Sequence, residues 1–316
     1  MISSLAPSTQ LFLANLNRIE DQLSQANEQL SSGKKLNVAS DDPAQVEQLI
    51  QLRTDQQQNQ QIEANLTLAA TDASAADSAL SSAASMMDTA IQLATQGANS
   101  TQSAQSRLSM ASQVQSILQQ MVSYSQTQVQ GRYIFSGDLS QSPTYQVDLS
   151  AANGPPDANG AANGVDQLSN AAATQRIEDP AGGSFASSQT AQAIFDDVDS
   201  SGNPLPDNVF AALNGLLTAL TNNDQTGITN SINNLQQAAD RLNNMDAFYG
   251  TVENRIQDAS TFAGNYDTQL KTEIGNIQDA DVAAAATLQT QANTQLQAAL
   301  EMEGRMPHST LFDYLG

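Results

Sequence analysis

The 316-residue chain carries 33 acidic against 11 basic side chains, a net charge of -22, which repels nucleic-acid phosphates and anionic bilayers alike. It has no cysteine, which excludes a disulfide framework, a thiolate metal site and a cysteine nucleophile. Hydrophobic residues make up 40% but aromatics only 4%, and Trp is absent, so the chain is suited to burying narrow stripes instead of thick cores.

From Phe12 the apolar positions Leu16, Ile19, Leu23, Ala26 and Leu30 alternate steps of four and three, the seam of a helix packing along another helix. That helix is expected to end near Leu30, with Gly33 as its C-cap and residues 34–40 as a connection. Residues 1–13 lack a basic, continuously apolar signal segment, and no run of about 18 apolar residues occurs. Asp42 followed by Pro43 and Gln45 reads as N-cap, first helical position and box partner of a second helix.

The second helix carries a seam through Leu66, Ala69, Ala73, Ala76, Leu80, Ala83, Met87, Ala90 and Ala94. Upstream, Asp55 and Asn59 fall in the same register, and polar residues there predict a bend, a stutter or a register-fixing contact. Gly97, Asn99 and Ser100 break the pattern. A third helix is expected from about Ser103 to Gln130, with Leu108, Ala111, Leu118, Val122 and Val129 on one face and Val114, Ile117, Met121 and Tyr124 beside it. Tyr133, Ile134 and Phe135 then read as a strand.

Residues 137–206 change texture, with Gly, Pro, Asn and Asp clusters, and from Asp138 to Asp207 there are ten acidic residues against the single Arg176. They are expected to form a small β-rich or irregular insert facing outward. Because the insert shares no periodic seam with the helices, a short linker is expected to replace it without loss of assembly. Leu213, Leu216, Leu217 and Leu220 mark a short helix. A second long seam follows through Ile228, Ile232, Leu235, Ala239 and Leu242, slips one step at Met245, and continues through Tyr249, Val252, Ile256, Ala259, Ala263, Tyr266 and Leu270. Asp279 and Asp281 open a last, Ala-rich helix with apolar positions at Val282, Ala285, Ala292, Leu296, Ala299 and Met306.

The chain is therefore expected to be mainly α, a long antiparallel coiled-coil-like rod made from its N- and C-terminal segments around an insert. The divisions are 1–42 as a first assembly segment, 43–136 and 207–276 as the two halves of the rod, 137–206 as the insert, and 277–316 as a second assembly segment. The acidic pairs at Asp41–Asp42 and Asp279–Asp281 sit at helix starts, where capping explains them better than proton transfer. His308 is the only histidine, so no catalytic triad or histidine metal site can be built. No phosphate-binding glycine pattern is present. The expectation is no enzyme, no cofactor and no metal.

Leu30, Ser31, Ser32, Gly33, Lys34, Lys35, Leu36, Asn37, Val38, Ala39, Ser40, Asp41, Asp42, Pro43 and Ala44 together resemble the N-terminal signature of bacterial flagellins and flagellin-like hook-associated proteins. Ile277, Gln278, Asp279, Ala280, Asp281, Val282 and Ala283 resemble the C-terminal one. Within that family three features are similar to the members at the hook–filament junction more than to filament flagellin. These are Pro43 after the Asp pair; Gly131, Arg132, Tyr133, Ile134, Phe135, Ser136 and Gly137; and Leu311, Phe312, Asp313, Tyr314 and Leu315.

The resemblance covers roughly residues 1–140 and 208–316 and does not reach the insert. It implies a self-assembling adaptor in the flagellum, exported unfolded through the flagellar type III apparatus without a cleaved signal. The implied partners are further copies of itself, a neighbouring hook-associated protein, flagellin and an export chaperone. Assembly would run through seams at Phe12, Leu16, Ile19, Leu23, Leu30, Val282, Leu296, Leu311, Phe312 and Leu315, with Asp42 and Asp281 as caps. Filament flagellin itself is the first alternative, and an extracellular coiled-coil fibre or adhesin, which leaves both terminal signatures unexplained, is the second.

Overall fold

Gly33 stops the first helix where a left-handed residue is needed. Its φ is +68°, its N–H reaches Gln29 O at 2.9 Å, and α1 spans Pro7–Ser32. In this computed structural model, residues 7–38, 42–149 and 163–305 are described. The further helices are α2 Pro43–Gly97, α3 Ala104–Ser125, α4 Ala191–Phe195, α5 Val209–Thr221, α6 Gln225–Gln278 and α7 Val282–Arg305. At 1.5 Å per residue, α2 and α6 are each about 80 Å long. None of the described helices is long and apolar enough to cross a membrane.

The chain divides into two units, Met1–Asn59 with Asn265–Gly316, and Gln60–Gly264; α2 and α6 contribute to both. In the first unit α1 and α7 run antiparallel. The turn after α1 and the turn before α7 form a short ladder: Lys34 bridges Asp279, Lys35 N–H donates to Gln278 O at 2.6 Å, and Ala280 N–H donates to Gly33 O at 2.9 Å. Farther along, Gln289 Nε2 donates to Asn27 Oδ1 at 2.6 Å. The polar seam positions do not interrupt α2. Asp55 accepts from Gln51, Asn59 is buried, and neighbouring Gln56 donates to Asp267, which also pairs with Lys271 at 2.6 Å.

The second unit holds one continuous hydrophobic core. Every position of the α2 seam from Leu66 to Ala94 lies in it, as do Ile228, Leu235, Ala239, Leu242, Tyr249, Val252, Ile256 and Ala259 of α6. The two helices are antiparallel here, with Gln225 donating to Ala98 O and Asp77 facing Asp246. α5 is buried on nearly every side, and α3 packs against it.

Three local expectations are corrected. α3 ends at Ser125, so Val129 belongs to β1 Gln128–Val129, which pairs with β2 Arg132–Tyr133. The connecting Gln130 and Gly131 have φ of +51° and +78°, the two-residue turn that suits the twist of a hairpin and that a helix cannot contain. The strand expected at Tyr133–Phe135 is accordingly shorter, and Ile134 and Phe135 turn inward. Leu108, placed on a packed face of α3, is exposed; Arg107 beside it is buried instead.

The middle segment forms two more antiparallel hairpins, β3 Tyr145–Val147 with β4 Val165–Gln167 and β5 Arg176–Glu178 with β6 Ser184–Ala186. Their inward side chains, Tyr145, Val165 and Phe185, join the core of the long helices, together with Ile194 and Phe195 of α4. That burial removes the physical basis for expecting a linker to replace the segment.

Candidate assembly surfaces

The α1–α7 pair meets through small and aliphatic side chains. Ile19 and Ala26 are buried on α1, Ala285 and Ala292 on α7, and Leu36 beyond the α1 turn. Phe12, Leu16, Leu23 and Leu30 are half-buried, as is Leu296. Of the ten expected seam residues, six are therefore buried or half-buried on α1 and α7, and Val282 lies on the outside at 57% exposure. Leu311, Phe312 and Leu315 lie outside the described residues.

The outer faces of both helices carry large apolar side chains in solvent. Leu11 and Met302 are each 65% exposed and Leu300 53%. Four buried side chains among those described, on helices of 26 and 24 residues, make a thin interface, since the backbone of each ordered residue costs about 1–2 kcal/mol. Exposed apolar faces on a thin pair are candidates for contact with another molecule.

The two acidic cap positions sit at the starts of α2 and α7. Asp42 Oδ1 accepts from Gln45 N–H at 3.2 Å, and the Gln45 amide donates to its second oxygen. Asp281 Oδ1 accepts from Ala283 and Ala284 N–H at 2.9 and 3.0 Å. Both carboxylates sit at helix N-termini, where free N–H groups and the helix dipole favour negative charge. Asp42→Ala is expected to cost about 1 kcal/mol, read as a lowered midpoint in urea with an unchanged slope. An unchanged midpoint would remove the capping role.

Residues that periodicity did not single out hold the second unit. Arg107 is 5% exposed, and its guanidinium donates to Gly97 O, Asn99 O and Asn223 Oδ1 at 2.9, 3.1 and 2.6 Å. It ties the end of α2 to the turn after α5. Arg132 pairs with Asp72 at 2.9 Å, fixing the β1–β2 hairpin to α2. Arg241 bridges Asp197 and Asp207 at 2.6 and 2.8 Å and also donates to Ala193 O, fixing the α4 region to α6. Arg255 lies 4.3 Å from the Phe185 ring centroid. Arg132 lies in the motif quoted from the sequence, and for the other three the only signal was the scarcity of basic residues in an acidic chain.

One feature of the α2–α6 pair is unfavourable at neutral pH. Asp246 Oδ1 is enclosed without a hydrogen-bond partner, and the carboxyl pKa is raised above 3.8 by burial and by the nearby Asp77 and Glu253. A raised folded-state value means the folded protein holds this proton more tightly than the unfolded chain. The site therefore adds stability as pH falls from the raised value toward 3.8 and withdraws it as pH rises. Asp246→Asn is expected to raise the melting temperature at pH 7 by about 1–2 °C, on the scale of a partly exposed charge pair. The gain should shrink in acid, and an equal gain at pH 4 and pH 7 would contradict it.

Among the described residues no group of three or more His, Cys, Asp or Glu could hold a metal. Of the acidic pairs expected at helix starts, Asp42 and Asp281 cap as described, and Asp41 and His308 lie outside the described residues.

The comparisons with known proteins agree with this arrangement of paired ends. The model of the bacterial flagellin N-terminal helical region matches residues 2–140, and that of the C-terminal helical region matches residues 221–315. The chain is 26% identical over 309 residues to the flagellar hook-associated protein 3 of Salmonella typhimurium, covering 90% of each chain. It is 25% identical to the protein of that name from Escherichia coli, again over 90% of both. Among solved structures, the flagellar hook associated protein-3 of Legionella pneumophila superposes with a TM-score of 0.59 at 13% identity. The match covers 73% of this chain and 98% of that one, a likeness of fold. With the two family models together spanning most of its length, the chain belongs to the bacterial flagellin family.

Proposed function

We propose that the protein is a structural subunit of the bacterial flagellum, a self-assembling adaptor at the hook–filament junction that filament assembly and motility require. The observation that carries this reading is the end-to-end match, over 90% of both lengths, to two relatives named as flagellar hook-associated proteins. Filament flagellin as an identity has no comparable support. The helix pair with exposed apolar faces supports a subunit that is completed by neighbours. Those neighbours would be further copies of itself, an adjacent hook-associated protein and flagellin. Before assembly an export chaperone would cover the C-terminal helix, and the chain would leave through the flagellar type III apparatus.

The test is deletion of the gene in the parent organism. The expected cells keep hooks, shed flagellin into the medium and do not swim, and expression of the chain restores filaments. Filaments of normal length in the deletion strain would overturn the junction role. Recovery of this chain as the major band of purified distal filaments would replace it with the flagellin role.

A further inference from the structure

A groove of about 250 Å³ opens in the first unit between the turn after α1 and the start of α2. Its apolar wall is Leu36, Val46, Leu49 and Ile50, and its polar rim carries Lys34 and Arg53. Ile50 is 60% exposed. Arg53 donates to Gln278 Oε1 at 2.8 Å, which holds the guanidinium at the rim, and neither Arg53 nor Lys34 forms an ion pair among the described residues. In a chain with three acids for every base, two cations at the rim of a groove that is polar over much of its lining and aliphatic on one wall are unusual. They define what fits there: a short apolar segment bearing one carboxylate.

The chain contains such a segment in Leu311, Phe312, Asp313, Tyr314 and Leu315. Its own copy cannot place it in the groove. α7 begins beside the groove, since Ala280 bonds to Gly33, and runs 24 residues away from it, so Arg305 lies about 36 Å off along the helix. Even fully extended, the chain from Arg305 gains at most about 3.6 Å per residue, which leaves Leu311 and Phe312 some 10–15 Å short of the groove. We propose that the groove of one copy receives residues 311–315 of a second copy, with Phe312 and Leu315 against Leu36, Leu49 and Ile50 and Asp313 between Lys34 and Arg53. A charge-assisted pair at the rim sets the register of the segment, and the apolar contacts supply the affinity. The proposal rests on the self-assembling reading above and adds where one copy holds the next.

Because the chain has no cysteine, introduced thiols are the only ones present. Full-length Ile50→Cys and Tyr314→Cys proteins are purified, mixed at high concentration and oxidised. The expected product is a mixed disulfide dimer in at least five-fold excess over a Ser74→Cys and Tyr314→Cys control, Ser74 being a solvent-exposed position on α2. Adding Arg53→Glu to the groove copy should remove that excess, and Asp313→Arg in the other copy should restore it. Should Arg53→Glu lower helicity, Arg53→Gln serves as the milder variant, with a partial loss expected. Cross-linking at the control level overturns the proposal, as does a charge swap without rescue. A doubly substituted chain that closes on itself in dilute solution overturns the second-copy geometry. The assay needs no hook or filament, so a deletion strain with normal filaments would remove the junction role without touching this result.

Discussion

Replacing residues 138–205 by a short flexible linker abolishes the cooperative thermal transition of the second unit. The deletion removes Tyr145, Val165, Phe185, Ile194 and Phe195, all buried in the core shared with the long helices. At about 1.5–3 kcal/mol for each fully buried large side chain, the loss is on the order of 10 kcal/mol, comparable with the whole stability of a domain. It also takes Ala193 O and Asp197 from Arg241 and uncovers the rings of Phe135, Phe210 and Tyr249. Circular dichroism on melting is the check. A deletion variant that still melts sharply, within a few degrees of the intact chain, would show the segment to be an ornament on a self-sufficient helical core.

The second large effect is expected at Phe135. Its ring sits 5.9 Å from Phe195 and 6.1 Å from Tyr249, both edge-on, and it is fully buried. Its carbonyl accepts from Ala191 N–H at 2.7 Å, which starts α4. One residue thus joins the hairpin after α3, the short helix of the middle segment and the long α6. Phe135→Ala is expected to cost about 3–5 kcal/mol, the range for removing a buried ring and leaving a cavity, plus the edge-to-face contacts. Urea denaturation measures it, and a loss below about 1 kcal/mol would mean the cluster repacks. Nearby Gly137 cannot change for a related reason: its φ is +51°, and an added Cβ would fall 2.3 Å from Ala173 O.

The helices were legible because their information is local and repeated. Each turn of α2 from Leu66 to Ala94 restates the same seam, and Gly33 and Asp42 mark ends by local requirements a single residue meets. The middle segment was not legible, because its contribution to the core comes from isolated side chains such as Tyr145 and Phe185 on three-residue strands. Such strands are too short for alternation to separate an inward residue from a chance one. Arg107 was missed for a similar reason. On a helix an arginine reads as solvent-facing, and only the fold places the carbonyls of Gly97 and Asn99 around it. At the candidate surfaces, the spacing from Phe12 to Leu30 located the face where α1 meets α7, while the groove between Leu36 and Ile50 arises from a turn folding back on α2, which no periodicity encodes.

In the function proposed above, α1 and α7 are left incomplete in the single subunit and are finished by their neighbours. Their mutual interface rests on Ile19, Ala26, Ala285 and Ala292, while Leu11, Leu300 and Met302 stay in water. At about 25 cal/mol per Å² of apolar surface, so thin a seam barely offsets the cost of ordering two backbones. Hydrogen exchange followed by mass spectrometry, on the soluble monomer and on assembled flagella, tests this most directly. In the monomer, amides of residues 11–30 and 283–303 should exchange at least about 100-fold faster than those of α2 between Leu66 and Ala94, and assembly should slow them to the same level. Protection of both terminal helices in the monomer equal to that of the α2 core would contradict it.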